Sequence, residues 1–183
     1  MGGAGSRVPL RANQAYSGRV GDALELSWIT DAIAIGGAFP DERAADLYHR
    51  HRVEAVVDLR DGGGHDPDAL TRHGIELLHL PTSENAAIGE VDLASGLAFV
   101  ARHLGDYRRV LLHCTHGTAQ SVQLALCVLV EHRHTPLDAL ALVKRRRVRA
   151  APSPVQLEAW HRWLGTRGLD APPFGACARV AYG

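Results

Sequence analysis

Residues His113-Cys114-Thr115-His116-Gly117-Thr118-Ala119-Gln120-Ser121 bring a cysteine, small loop residues and a hydroxyl into one short stretch. The apolar run Val110 to His113 leads straight into Cys114, and the longer apolar run Ser121 to Glu131 follows the loop. Strand, tight loop and helix in that order aim consecutive loop N–H groups and the positive end of a helix dipole at one point. Such a cradle holds a tetrahedral dianion. It also lowers the pKa of a cysteine at its start, making a thiolate nucleophile. Gly117 permits a backbone angle or a close approach that a side chain would block.

The elements that must position this loop alternate between strand and helix. Ala32 to Gly36, Val53 to Leu59, Ile75 to Leu80 and Val110 to His113 read as strands. A helix opens at Pro40-Asp41-Glu42, a short one covers Asp66 to His73, and another runs from about Val91 to Leu104. Ser121 to Glu131 is apolar almost all round, the mark of a helix buried on several sides. Two more follow, roughly Leu137–Arg147 and Val155–Leu164, with Pro136 and Pro154 at or near their starts. Asp61-Gly62-Gly63-Gly64 reads as a flexible connector and Pro81 to Gly89 as a polar loop. The implied fold is a single α/β domain over residues 24–165, with a mainly parallel central sheet flanked by helices. A flexible arm over 1–23 precedes it, and an irregular, Gly- and Pro-rich tail over 166–183 follows.

Acidic and basic residues balance at 20 each, which argues against a general nucleic-acid or membrane binder. Three cysteines without a CxxC pair form no disulfide framework, so a reduced, cytoplasmic setting is expected. The first residues lack the apolar stretch of a signal peptide, and no run has the length of a membrane span. The 11 histidines include no HExxH or comparable spacing; His49, His51, His132 and His134 read as helix-surface residues, and neither metal nor cofactor is expected. Cys127 reads as a core thiol, and nothing in the sequence positions Cys177. Lys144 to Arg149 reads as a solvated helix end, or as the rim of an anionic-substrate pocket. Trp160 and Trp163 read as packing on the last helix.

The loop resembles the signature of the protein tyrosine phosphatase superfamily, and of its small dual-specificity branch in particular: His-Cys, five residues, Arg, then Ser or Thr. Flanking segments share the resemblance. Trp28 to Asp31 with Ile35-Gly36-Gly37, Val56 to Arg60, Asp138 to Leu140 with Arg145 to Arg147, and Gln156-Leu157 match it in the expected order over roughly residues 24–165. The resemblance implies a cysteine-phosphatase fold and gives Cys114 the role of a nucleophile that forms a phosphocysteine. His113 would orient the loop and favour the thiolate, and Ser121 would assist departure of the sulfur. Glu84 stands where the family places its general acid, usually an Asp a few residues past a Pro; Glu90 and Asp92 are weaker candidates. Thr115, His116, Gly117, Thr118, Ala119 and Gln120 would form the anion-binding loop.

Gln120 departs from the family pattern. The signature arginine places a planar, charged, bidentate donor on two phosphoryl oxygens. A neutral amide removes that charge, at a cost on the order of 10²–10³ in rate. A protonated His116, or Arg60 or Arg149 reaching in, would restore some of it. The implied function is a phosphatase-like protein that binds a phosphorylated or other anionic substrate, protein or small molecule, at the Cys114 loop. Its phosphomonoester hydrolysis would be impaired, making it a pseudophosphatase or atypical phosphatase. Two alternatives stay open: an enzyme that uses Cys114 on a substrate other than a phosphomonoester, and a rhodanese-like sulfurtransferase, which the flanking segments fit less well.

Overall fold

The structure, a computed structural model, describes residues 24–183; the arm expected over 1–23 lies outside the described residues. A hairpin comes first, with strands β1 (Leu26–Trp28) and β2 (Ile33–Gly36) paired antiparallel. Its turn is tied by Thr30, whose Oγ1 accepts from the amides of Ala32 and Ile33. A 3-10 turn then leads into helix α1 (Ala44–His51), strand β3 (Val53–Arg60), helix α2 (Pro67–Thr71) and strand β4 (Glu76–Thr82). Helix α3 (Glu90–Gly105), strand β5 (Arg109–His113) and helices α4 (Gln120–Glu131), α5 (Pro136–Arg146), α6 (Pro154–Thr166) and α7 (Phe174–Tyr182) complete the order.

The five strands lie in the order β1-β2-β5-β3-β4, parallel except for the edge strand β1. Strand β5 is central, so His113 and Cys114 emerge at its carboxyl end between β2 and β3. In open α/β sheets that end is where ligands bind. Alternation along β5 splits the core. Leu111 packs with Ala34, Val56, Leu47 and Leu70 under α1 and α2, while Val110 and Leu112 pack with Ile33, Val57, Leu124 and Leu129 under the other helices. From Gln120 through Val130, helix α4 is buried throughout. Replacing a leucine such as Leu124 by alanine there costs about 2–5 kcal/mol.

The expected strands and helices are present, with three differences. The edge strand β1 adds to the four strands expected. Strand β4 extends through Pro81 to Thr82, so the polar loop starts at Ser83. The tail expected to be irregular over 166–183 holds α7, because Cys177 and Ala181, one helical turn apart on one face, bury against the rest of the fold. Among the described residues, no helix is long and apolar enough to cross a membrane.

Candidate active site

Helix α4 starts without a side-chain cap: Ala119 at its N-cap offers no polar atom, so the first-turn amides are left to face the loop. The loop folds back so that the Gly117 amide donates to Cys114 Sγ at 3.2 Å. Ser121 Oγ lies 3.4 Å from the same sulfur. Burial pushes the thiol up. The Ser121 hydroxyl and the amides of Ser121, Ala119 and Gly117 outweigh it, so Cys114 titrates below the ordinary thiol value. Gly117 adopts φ +63°, and a Cβ there would overlap the Gly36 carbonyl. Ala38 donates to the Thr115 carbonyl and Ala151 to the Thr118 carbonyl, fixing both sides of the turn.

Gln120 is buried, and its Nε2 donates to the Ser83 carbonyl at 2.9 Å. The Gln120 amide is therefore committed to the loop after β4. Two more buried glutamines hold the same loop. Ile88 donates its amide to Gln123 Oε1 at 3.0 Å, and Gln156 Nε2 donates to the Ala86 carbonyl at 3.1 Å. Ser83 Oγ also donates to Asp61 Oδ2 at 2.7 Å. Glu84 rides on this loop, more than half exposed, with its Oε1 3.4 Å from His116 Nε2. Glu90 and Asp92 lie in the first turn of α3. The glutamine clamp was not foreseen. Its signal was in the sequence, as Gln123 interrupts an otherwise apolar helix.

Neither arginine considered as a substitute cation is free. Arg60 is bidentate on Asp58, with Nε on Oδ1 at 2.9 Å and Nη2 on Oδ2 at 2.7 Å. Arg149 pairs with Glu25 Oε1 at 3.3 Å. Within the basic stretch read as a solvated helix end, Arg147 is 2% exposed. Its guanidinium grips the back of the loop, donating to the Gly117 carbonyl, to the His116 carbonyl at 3.2 Å and to Glu25 Oε2 at 2.8 Å. Full hydrogen bonding is what permits such burial of a charge. Cys127 is a buried core thiol, and Cys177 Sγ lies 3.5 Å from His161 Nε2.

His113 is buried in a cluster with Asp58 and His65. One ligand-type atom from each of these three lies within 4.8 Å of the others, a spacing a metal ion would accept. The donor set does not fit one. Asp58 Oδ1 already accepts from Arg60 N and Nε, and Oδ2 from Arg60 Nη2 and the His65 amide, which fills its lone-pair sites.

No family model matches the chain, and no curated protein sequence matches it. Solved structures do. PTPMT1 aligns with a TM-score of 0.69 at 19% identity, covering 78% of this chain and 98% of that one. Tk-PTP in its active form gives 0.70 at 23%, covering 78% and 97%. Human DUSP28 gives 0.64 at 20%, covering 78% and 95%. The chain has the fold of the protein tyrosine and dual-specificity phosphatases.

Proposed function

We propose that the chain binds a phosphorylated or similarly anionic substrate at the Cys114 loop and hydrolyses phosphomonoesters poorly. The observation that carries this reading is the Gln120 Nε2 bond to the Ser83 carbonyl, which ties the amide to a loop instead of to a phosphoryl group. Cys114 is the nucleophile in this proposal and Ser121 the group that stabilises its thiolate. Thr115 to Gln120 supply the cradle, and Glu84 is the candidate proton donor on the clamped loop. A structure of PTPMT1 with PI(5)P makes a phosphoinositide head group one of the substrates to test first. All three cysteines are free, which suits a reducing, cytoplasmic setting. The test is aryl phosphate turnover by the native chain and by Gln120→Arg. The variant should gain on the order of 10²-fold. A native rate equal to that of the variant would remove the reading.

The depressed Cys114 thiol favours a second reading, in which the same nucleophile attacks a less charged substrate that needs no guanidinium. Turnover of a neutral acyl or aryl ester that is lost in Cys114→Ala, with phosphomonoesters left intact, would select it.

A further inference from the structure

His113 precedes the nucleophile directly, and its ring is fully buried. Its Nε2 meets His65 Nε2 at 3.0 Å, while its Nδ1 is buried without a hydrogen-bond partner among the described residues and the ring interacts with the Cys114 backbone. Behind it, His65 Nδ1 faces Asp41 Oδ1 at 2.5 Å. The other oxygen of Asp41 accepts from the Asp66 amide at 3.0 Å, so that carboxylate is held in place. Three segments far apart in sequence thus meet in one line: the 3-10 turn, the connector that follows β3, and β5.

The proton order along the line follows from acceptor chemistry. A carboxylate only accepts, so His65 carries its proton on Nδ1. In a neutral ring Nε2 is then a lone pair, which can accept from His113 only if His113 carries its proton on Nε2. Burial keeps both rings neutral, holding His113 down to about 3 and lowering His65 as well. The charged or titratable groups facing His113 are Asp58, His65 and Arg60, with the tilted Phe39 ring 5.0 Å from it. Asp58 Oδ1, 3.5 Å from His113 Nε2, favours the same tautomer.

We propose that Asp41 and His65 are positioning residues for Cys114, fixing the tautomer and rotation of the His113 ring on which the catalytic loop is mounted. The role rests on Cys114 acting as a nucleophile. The competing role for His65 is packing alone, since its ring lies 4.2 Å from that of Phe39.

The two roles predict opposite rankings. In His65→Gln the amide oxygen accepts from His113 and the amide nitrogen donates to Asp41, so the relay survives while the ring is lost. In His65→Phe the ring survives and the relay is lost. The readout is alkylation of Cys114 by iodoacetamide across pH, with Cys127→Ser/Cys177→Ser as the common background. His65→Gln should react like the parent, and His65→Phe about fivefold more slowly at pH 7, the effect of one lost hydrogen bond. Asp41→Ala, at a side chain one-third exposed, breaks the same line from outside and should be slowed in the same direction; it decides the matter if His65→Phe does not fold. Phenylalanine reacting as fast as glutamine, or Asp41→Ala matching the parent, overturns the proposal. An ordinary free-thiol profile in the parent overturns the nucleophile reading instead. The imidazole ¹⁵N spectrum of the parent is a separate check: His113 protonated on Nδ1 would refute the relay whatever Cys114 does.

Discussion

Gln123→Leu tests whether the loop carrying Glu84 is clamped by side chains from α4. In the structure the Ile88 amide donates to Gln123 Oε1 at 3.0 Å, and both residues are buried. Leucine removes the acceptor, and a neutral hydrogen bond of this kind contributes about 1–1.5 kcal/mol. Local opening of residues 83–88 should therefore rise about 5- to 13-fold, and amide exchange at Ile88 should accelerate by that factor. Global stability should barely move. Gln123 Nε2 is a buried donor without a partner among the described residues, so leucine removes an unfavourable group together with the favourable one. Hydrogen exchange read at Ile88, with a denaturant midpoint alongside, separates these effects. Unchanged exchange at Ile88 would refute the clamp. A midpoint that falls in parallel would mean Gln123 supports the whole fold instead of the loop.

Ser121→Ala should slow alkylation of Cys114 at pH 7 about fivefold, because the hydroxyl 3.4 Å from the sulfur helps hold the thiol below its usual range; an unchanged pH profile would count against that contact. Acid should destabilise the native chain in a window set by Asp58, whose carboxyl the Arg60 guanidinium holds at about 2 against the cost of burial. Since the folded value lies below the unfolded one, that stability is complete above about pH 4 and lost as pH falls toward 2, about 2 kcal/mol in all. Asp58→Asn should flatten this limb in urea titrations at stepped pH, and an acid limb of the same depth in the variant would contradict the assignment.

The parts of this fold that depend on periodicity were legible from the sequence. The apolar run of β5 and the nearly all-round apolar character of α4 place Cys114 between them, and no tertiary information was needed for that. The parts that depend on side chains meeting from distant segments were not legible. Arg147 looked like one more charge at a helix end, yet it is buried because the Gly117 and His116 carbonyls and Glu25 surround its guanidinium. His65 lies between the connector read over Asp61 to Gly64 and the helix read from Asp66, and no role was read for it, yet it closes a line from Asp41 to His113. Helix α7 is short and set among Gly and Pro, and its contacts outweigh its weak local signal. Position 120 shows both limits. That a glutamine stands where the resembled signature has arginine was evident in the sequence, while the destination of its amide was not.

That destination decides which of two effects wins at the site. A latch to Ser83 contributes about 1 kcal/mol to loop order, whereas a preorganised charged donor on the phosphoryl group would contribute about 2.7–4 kcal/mol to the transition state. Under the proposed function the chain keeps the smaller term, and its cradle would hold an anion better than it transfers a phosphoryl group. A Cys114 thiolate would then oppose a bound dianion, because the Arg147 guanidinium behind the loop is already paired with Glu25. Two unit charges about 4 Å apart interact by about 4 kcal/mol at an effective dielectric of 20, and the amides around Cys114 screen part of that. Cys114→Ser removes the charge and keeps a small polar side chain, so inorganic phosphate should bind at least about tenfold more tightly to the variant at pH 7. The gain should shrink as the pH is lowered and the native thiol takes up its proton. Calorimetric titration at two pH values measures both trends, and weaker binding by the serine variant at pH 7 would show that the sulfur holds the anion instead of opposing it.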